Sequence, residues 1–146
     1  MYLIGDIGNS EIKICLVTTK KKIIKRINFS SNNISPTNVK KYFKSSYKYF
    51  SKIEKILFCS VVPCSFNLIK KFLKTKTKVK CYEVKELNLT SLIKIKVNYS
   101  QVGSDRVTNA ISLIDNKKNF IIVDLGTATT FDVLIKNDYI GGIIAP

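Results

Sequence analysis

Tyr2-Leu3-Ile4-Gly5-Asp6-Ile7-Gly8-Asn9-Ser10-Glu11-Ile12-Lys13-Ile14-Cys15-Leu16 holds two extended segments joined by a tight turn. Tyr2 to Asp6 is a short apolar run, the pattern of a buried strand. Gly8-Asn9-Ser10 carries turn chemistry. Ile12, Ile14 and Leu16 then alternate with other residues, as on a half-buried strand. Lys20 to Lys22 form a polar break, and Ile23 to Phe29 give a third strand. The first thirty residues therefore predict a three-stranded antiparallel meander.

Working outward, Pro36 is suited to the first turn of a helix. Val39, Tyr42, Phe43, Tyr47 and Phe50 fall on one helical stripe after it. Lys55 to Val62 reads as a strand stopped by Pro63. Phe66, Ile69, Phe72 and Leu73 repeat with helical spacing, and Val79 to Val84 is a further strand. Val107, Ala110, Ile111 and Ile114 define a third helix beginning near Gly103. The order β-β-β-α-β-α-β-α predicts an α/β ribonuclease-H-like domain, a mixed sheet with flanking helices, over residues 1–117. Asp115 to Asn119 is a polar break. Phe120 to Leu125, Phe131 to Ile135 and Tyr139 to Ile144 then read as the first strands of a second, similar and incomplete domain over 118–146, with a hairpin turn at Asn137-Asp138.

Composition narrows the chemistry. With 45% apolar residues in 146, the chain can bury a core. The start Met-Tyr-Leu-Ile-Gly-Asp lacks a basic leader, so no signal peptide is expected. The most apolar candidate span, Leu57 to Ile69, is interrupted by Pro63, so no membrane span is expected. A soluble cytoplasmic protein is the expectation. The net charge of +15 comes from lysines scattered over the whole chain, with little interleaving of aromatics, which argues against nucleic acid as the main ligand. The chain has no histidine, so proton transfer falls to carboxylate, Lys, Tyr or Cys. Cys15, Cys59, Cys64 and Cys81 form no C-x-x-C pair and read as reduced thiols in or beside apolar segments.

A second stretch repeats the first. Val123-Asp124-Leu125-Gly126-Thr127-Ala128-Thr129 matches Ile4-Gly5-Asp6-Ile7-Gly8-Asn9-Ser10: a strand, Asp-x-Gly, small polar residues, and another alternating strand. This points to an internal duplication. Glycine lets backbone approach a phosphate closely, and turn amides with Asn9, Ser10, Thr127, Thr129 and Thr130 are suited to donate to its oxygens. Asp6 and Asp124 are candidates to hold a cation that offsets phosphate charge. The plain alternative is two ordinary hairpin turns with glycine at positive φ. Of the six glycines, Gly8, Gly103, Gly126, Gly141 and Gly142 fall in candidate ligand turns, which favours the phosphate reading.

Gly103-Ser104-Asp105-Arg106 opens the third helix, where free amides and the dipole favour anions. Asp105 alone would pass as a first-turn acid. Arg106 adds weight, because Arg26 and Arg106 are the only arginines among 25 cationic residues. An arginine fork matches a carboxylate bidentately. The pair suggests recognition of an anionic substrate, with Asp105 as general base for its hydroxyl.

Five motifs in order resemble type III pantothenate kinases of the actin-like ATPase superfamily. They are Asp6-Ile7-Gly8-Asn9-Ser10, Ser60-Val61-Val62-Pro63, Val102-Gly103-Ser104-Asp105-Arg106, Asp124-Leu125-Gly126-Thr127-Ala128-Thr129-Thr130 and Gly141-Gly142-Ile143-Ile144-Ala145-Pro146. The resemblance implies phosphorylation of pantothenate with ATP, the first step of coenzyme A synthesis. It implies nucleotide contacts from Asp6, Ile7, Gly8, Asn9, Ser10, Glu11, Ile12 and Lys13, and from Thr127. It implies pantothenate contacts from Gly103, Ser104, Asp105 and Arg106, with Arg106 on the substrate carboxylate and Asp105 as proton acceptor. Asp124 would hold a monovalent cation, K⁺ or NH₄⁺; Mg²⁺ would accompany ATP; the protein would be a homodimer. Ser104 stands where the family often has Ala. Tyr99 stands where many members have Pro, and either lines the pantothenate site or is simply packed. The family continues past the last motif, so the expectation is a C-terminally truncated member, unstable or inactive unless completed by another chain. Two other readings are a non-catalytic transcriptional accessory factor of the same family and a different kinase of the superfamily; the Gly103 to Arg106 motif argues against the latter.

Overall fold

The computed structural model describes Met1–Ala145 and divides into two compact units, Met1–Glu86 and Leu87–Pro146. The expected boundary after residue 117 therefore falls inside the second unit. The cause is the third helix, whose Val107 and Ala110 are buried with Ile122 and Leu134 of the later strands. Pro146, the last residue of the Gly-Gly motif, lies outside the described residues.

In the first unit, β1 (Tyr2–Ile7), β2 (Glu11–Val17) and β3 (Ile23–Ser30) form the expected antiparallel meander. β4 (Lys55–Ser60) lies parallel to β1 and β5 (Cys81–Glu83) parallel to β4, giving the sheet order β3-β2-β1-β4-β5. A parallel neighbour needs a crossover, and α2 (Pro63–Lys74) supplies it between β4 and β5. Helix α1 (Pro36–Phe43) starts where Ser35 accepts a hydrogen bond from the Asn38 amide at 3.1 Å, with Pro36 in its first turn. One face of the sheet supplies Leu3, Ile7, Ile12, Ile14, Leu16 and Phe58 to a core completed by Val39, Phe43, Phe66, Ile69 and Leu73.

Two expectations here are adjusted. The stripe from Val39 to Phe50 is not one α-helix, because a 3-10 segment, Lys44–Lys52, follows α1. The run Lys44-Ser45-Ser46-Tyr47 is rich in weak helix formers, while Phe43 and Phe50 still meet Phe72 in the core, at ring separations of 5.2 and 6.4 Å. The strand expected over Val79 to Val84 contracts to the three residues of β5, and a 3-10 turn takes Val84–Glu86.

The second unit contains β6 (Lys94–Ile95), α3 (Ser104–Ser112), β7 (Asn119–Leu125), β8 (Thr129–Ile135) and β9 (Asp138–Ala145). β7, β8 and β9 are successive antiparallel strands, and β6 pairs parallel to β9. The β8–β9 turn is made by Lys136, at φ 54°, and Asn137, one residue earlier than expected. A bulge after Val133 brings Leu134 opposite Tyr139, so both bury completely. Ile93, Val102, Val107, Ala110, Ile122, Leu134 and Tyr139 make the core of this unit. The opposite face of the same sheet is apolar and open: Ile121 is 74% exposed, Leu125 80% and Ile143 67%. β7 and the two-residue β6 are its edge strands among the described residues.

Candidate active site

Each Asp-x-Gly turn joins two antiparallel strands, as the sequence implies. In the first unit the Gly8 amide donates to the Glu11 carbonyl at 3.0 Å and closes the β1–β2 turn. Ser31 ties it down, its hydroxyl donating to the Gly8 carbonyl at 2.6 Å and its amide to the Ser10 carbonyl at 3.0 Å. Asp6, Asn9, Ser10, Glu11 and Lys13 are exposed, whereas Ile7 and Ile12 are fully buried in the core. The last two can offer a ligand only backbone. Asp6 and Lys13 are direct cross-strand partners.

In the second unit the Gly126 amide donates to the Ala128 carbonyl at 3.2 Å, and Thr127 is exposed at the turn tip. Asn109 of α3 donates to Asp124 Oδ2 at 2.8 Å, which fixes the carboxylate; Oδ1 accepts none of the described hydrogen bonds. Thr130 stands directly across the strand pair from Asp124, and its buried hydroxyl has no partner among the described residues. A carboxylate and an orphaned hydroxyl are hard oxygen donors, suited to a cation.

The glycines separate into two groups. A Cβ at Gly126 would meet nothing closer than 3.7 Å, and neither Gly8 nor Gly126 has positive φ. The protein's own packing does not demand glycine at Gly126, which favours close approach by a ligand. Gly141 and Gly142 were expected in a ligand turn but lie within β9. Gly141 has φ 109°, and a Cβ on Gly142 would stand 1.9 Å from the Phe131 carbonyl oxygen. Strand packing explains both.

Gly103 is the N-cap residue of α3, and Ser104 is buried at the first helical position. Asp105 accepts from the Arg106 amide at 2.8 Å, the local contact of a first-turn acid. Tyr99 sits in a 3-10 turn, Tyr99–Gln101, packed against the core of this unit. The Arg106 guanidinium is held by Asp132 of β8: Nε lies 2.9 Å and Nη2 2.6 Å from Oδ1. The Tyr139 hydroxyl donates to the same oxygen. Hydrogen bonding to Asp132 raises the Arg106 pKa above its already high value. Burial, then the bond to Asp132, pushes the Tyr139 hydroxyl upward as well, and the charge of Asp105 acts in the same direction on both. Asp105, Arg106, Asp132 and Tyr139 thus share one electrostatic neighbourhood.

Asp132, Tyr139 and Asn109 did not emerge from the sequence as site residues. A signal for Asp132 was present. It occupies the inward position between Thr130 and Leu134 in an otherwise half-buried strand, and a buried acid requires a cationic partner.

The sequence profile of the type III pantothenate kinases matches residues 2–146. The chain belongs to this family. The type III pantothenate kinase of Pelagibacter ubique is 58% identical over 146 residues, covering 100% of this chain and 59% of that protein. The enzyme of that name from Fusobacterium nucleatum is 32% identical over 149 residues, covering 97% and 58%. This member therefore spans about three-fifths of the length of the curated relatives it matches. A solved structure of a candidate sugar kinase from Cytophaga hutchinsonii superposes with a TM-score of 0.50 at 15% identity, covering 96% of this chain and 49% of that one. The likeness concerns fold alone, an α/β fold shared with that kinase. No helix of the described residues is long and apolar enough to cross a membrane.

Proposed function

We propose that the protein phosphorylates pantothenate with ATP, forming 4′-phosphopantothenate as the first step of coenzyme A synthesis. The observation that carries the reading is Gly103-Ser104-Asp105-Arg106 at the start of α3, in a family named for that activity. Arg106 binds the substrate carboxylate, and Gly103 and Ser104 shape the site beside it. Asp105 takes the proton from the acceptor hydroxyl. The freed oxygen then forms a bond to the γ-phosphorus as the bond from that phosphorus to the β-phosphate bridging oxygen breaks, and ADP leaves.

The turn from Asp6 to Lys13 and the residue Thr127 receive the nucleotide. Backbone amides and the hydroxyls of Ser10 and Thr127 offer donors to phosphate, and Lys13 offers charge. Asp124, with the unpartnered Thr130 hydroxyl opposite, would hold a K⁺ or NH₄⁺ ion. Magnesium, bound with ATP, supplies charge neutralisation at the phosphates. The reading includes a cytoplasmic homodimer.

The test joins this chain to the C-terminal two-fifths of the Pelagibacter relative and measures ATP-dependent phosphorylation of pantothenate. Asp105→Asn should lower kcat about 10²- to 10⁴-fold, the usual contribution of a general base. Equal rates would remove Asp105 from that role, and an inactive wild-type fusion would count against the kinase reading.

A further inference from the structure

We infer that Asp132 is a positioning residue: it clamps one edge of the Arg106 guanidinium so that the opposite edge is presented, rigidly, to the substrate carboxylate. The inference rests on the reading of Arg106 as carboxylate anchor and adds how that anchor is built. A guanidinium has two edges able to make paired hydrogen bonds, one of Nε with Nη2 and one of Nη1 with Nη2. Asp132 takes the first, with Oδ1 at 2.9 Å from Nε and 2.6 Å from Nη2, and Oδ2 at 3.1 Å from Nε. Among the described residues nothing accepts from Nη1, so the second edge remains for a ligand. Asp132 is 1% exposed and Arg106 11%, so the clamp faces inward and the arginine is the member with access.

Three features make this a built arrangement. Tyr139, fully buried on β9, donates to Asp132 Oδ1 and holds the carboxylate from a second side. Gly142 pairs with Asp132 across β8–β9, and a Cβ there would lie 2.8 Å from Oδ1; glycine leaves the carboxylate its room. The bulge after Val133 turns Tyr139 inward to reach it. The Arg106–Asp132 pair is neutral as a whole. Recognition of a second carboxylate then depends on donors fixed in place more than on net charge, which favours a ligand of matching shape over anions in general.

Two measurements test it. On the 146-residue chain, ¹⁵N-resolved proton spectra of the arginine Nε–H groups contain two side chains, Arg26 and Arg106. One signal should be protected from solvent exchange and should lose that protection in Asp132→Asn. In the active fusion, Asp132→Asn should raise KM for pantothenate about 10-fold or more, as for loss of a charged hydrogen bond, with kcat changed less than about 3-fold. KM for ATP, and KM for the alcohol analogue in which CH₂OH replaces the carboxylate, should stay unchanged. Tyr139→Phe, which keeps the ion pair, should shift pantothenate KM in the same direction by a smaller factor. If wild type does not prefer pantothenate to the alcohol, the carboxylate-anchor reading fails. If wild type prefers it and Asp132→Asn retains the full preference, the anchor stands and the clamp is overturned. Loss of kcat on both substrates alike would also overturn it, marking Asp132 as structural. An unprotected Arg106 Nε–H in wild type would do so without any enzyme assay.

Discussion

Tyr139→Phe removes one oxygen and tests the buried network directly. The ring of Tyr139 is fully buried, and phenylalanine keeps that packing. What is lost is the hydroxyl donation to Asp132, a carboxylate that is 1% exposed and that water cannot readily reach in compensation. A hydrogen bond to a charged group contributes about 1.5–3 kcal/mol, so the variant should be less stable by about 2 kcal/mol at pH 8. The same contact predicts how this gap changes with pH. Burial and the Asp132 carboxylate hold the folded tyrosine pKa above its ordinary value of 10.0. Above pH 10 the unfolded state gives up this proton while the folded state keeps it. The folded state then binds more protons, and stability falls as pH rises, by about 1.4 kcal/mol per unit until the folded pKa is reached. Phenylalanine has no such proton. The wild-type advantage should therefore shrink from about 2 kcal/mol at pH 8 to about 0.6 kcal/mol at pH 11. The chain has no tryptophan, so urea unfolding is best followed by far-ultraviolet circular dichroism, reading the transition that the variant shifts. A penalty below about 0.5 kcal/mol at pH 8, or a gap that is constant from pH 8 to 11, would refute the placement of Tyr139 against Asp132.

Two further predictions concern the first unit. A Cβ on Gly5 would lie 2.2 Å from the Phe58 ring, which is its cross-strand partner and fully buried. Gly5→Ala should cost about 1–3 kcal/mol by overpacking, and Phe58→Leu about 1–2 kcal/mol by leaving a cavity. The double variant should be less destabilised than their sum by at least about 1 kcal/mol in urea titrations; strict additivity would contradict the contact. Burial pushes the Cys81 thiol up to about 12, with Lys70 opposing and Glu86 assisting, whereas Cys64 is exposed on α2. At pH 8 only about one Cys81 in 10⁴ is thiolate, so a disulfide reagent should modify Cys64 first and Cys81 only as the unit opens. Comparable rates by peptide mapping would show that Cys81 is not buried as described.

The first unit was legible because its signals are local and agree with one another. Alternation in β2, the Pro36 and Pro63 starts and the apolar face of α2 each specify one element, and the β-β-β-α-β-α-β order leaves few ways to pair the strands. Its errors fall where local signals are weak: the Ser- and Tyr-rich stretch after Phe43, and β5, where three residues suffice because it lies at the sheet edge and pairs with β4 alone among the described residues. β6 went unread because two residues, Lys94 and Ile95, carry no period. The duplicated turns drew a boundary before Phe120, yet α3 is held by burial of Val107 and Ala110 beneath β7 and β8. That contact depends on tertiary packing, which a periodicity cannot report.

The site divides along the same line. Asp105, Arg106 and Asp124 stand out as candidates because turn and helix-start chemistry is written in adjacent residues. Asp132 lies 26 positions from Arg106 and Tyr139 lies 7 from Asp132, so no local window contains the network. The rule that a buried carboxylate needs a partner would still have joined them. Asp132 points inward on a strand whose next inward residue is fully buried Leu134, lysine is too strongly hydrated to be the preferred buried partner, and the chain has two arginines to choose from. Arg106→Lys preserves charge and an ion pair but offers one ammonium in place of a plane with two edges, one held by Asp132 and the other proposed for the ligand. It should hold Asp132 or a ligand carboxylate well, and not both. On the proposed function, pantothenate KM of the fusion carrying Arg106→Lys should thus resemble that of Asp132→Asn, although the two changes act on opposite members of the pair.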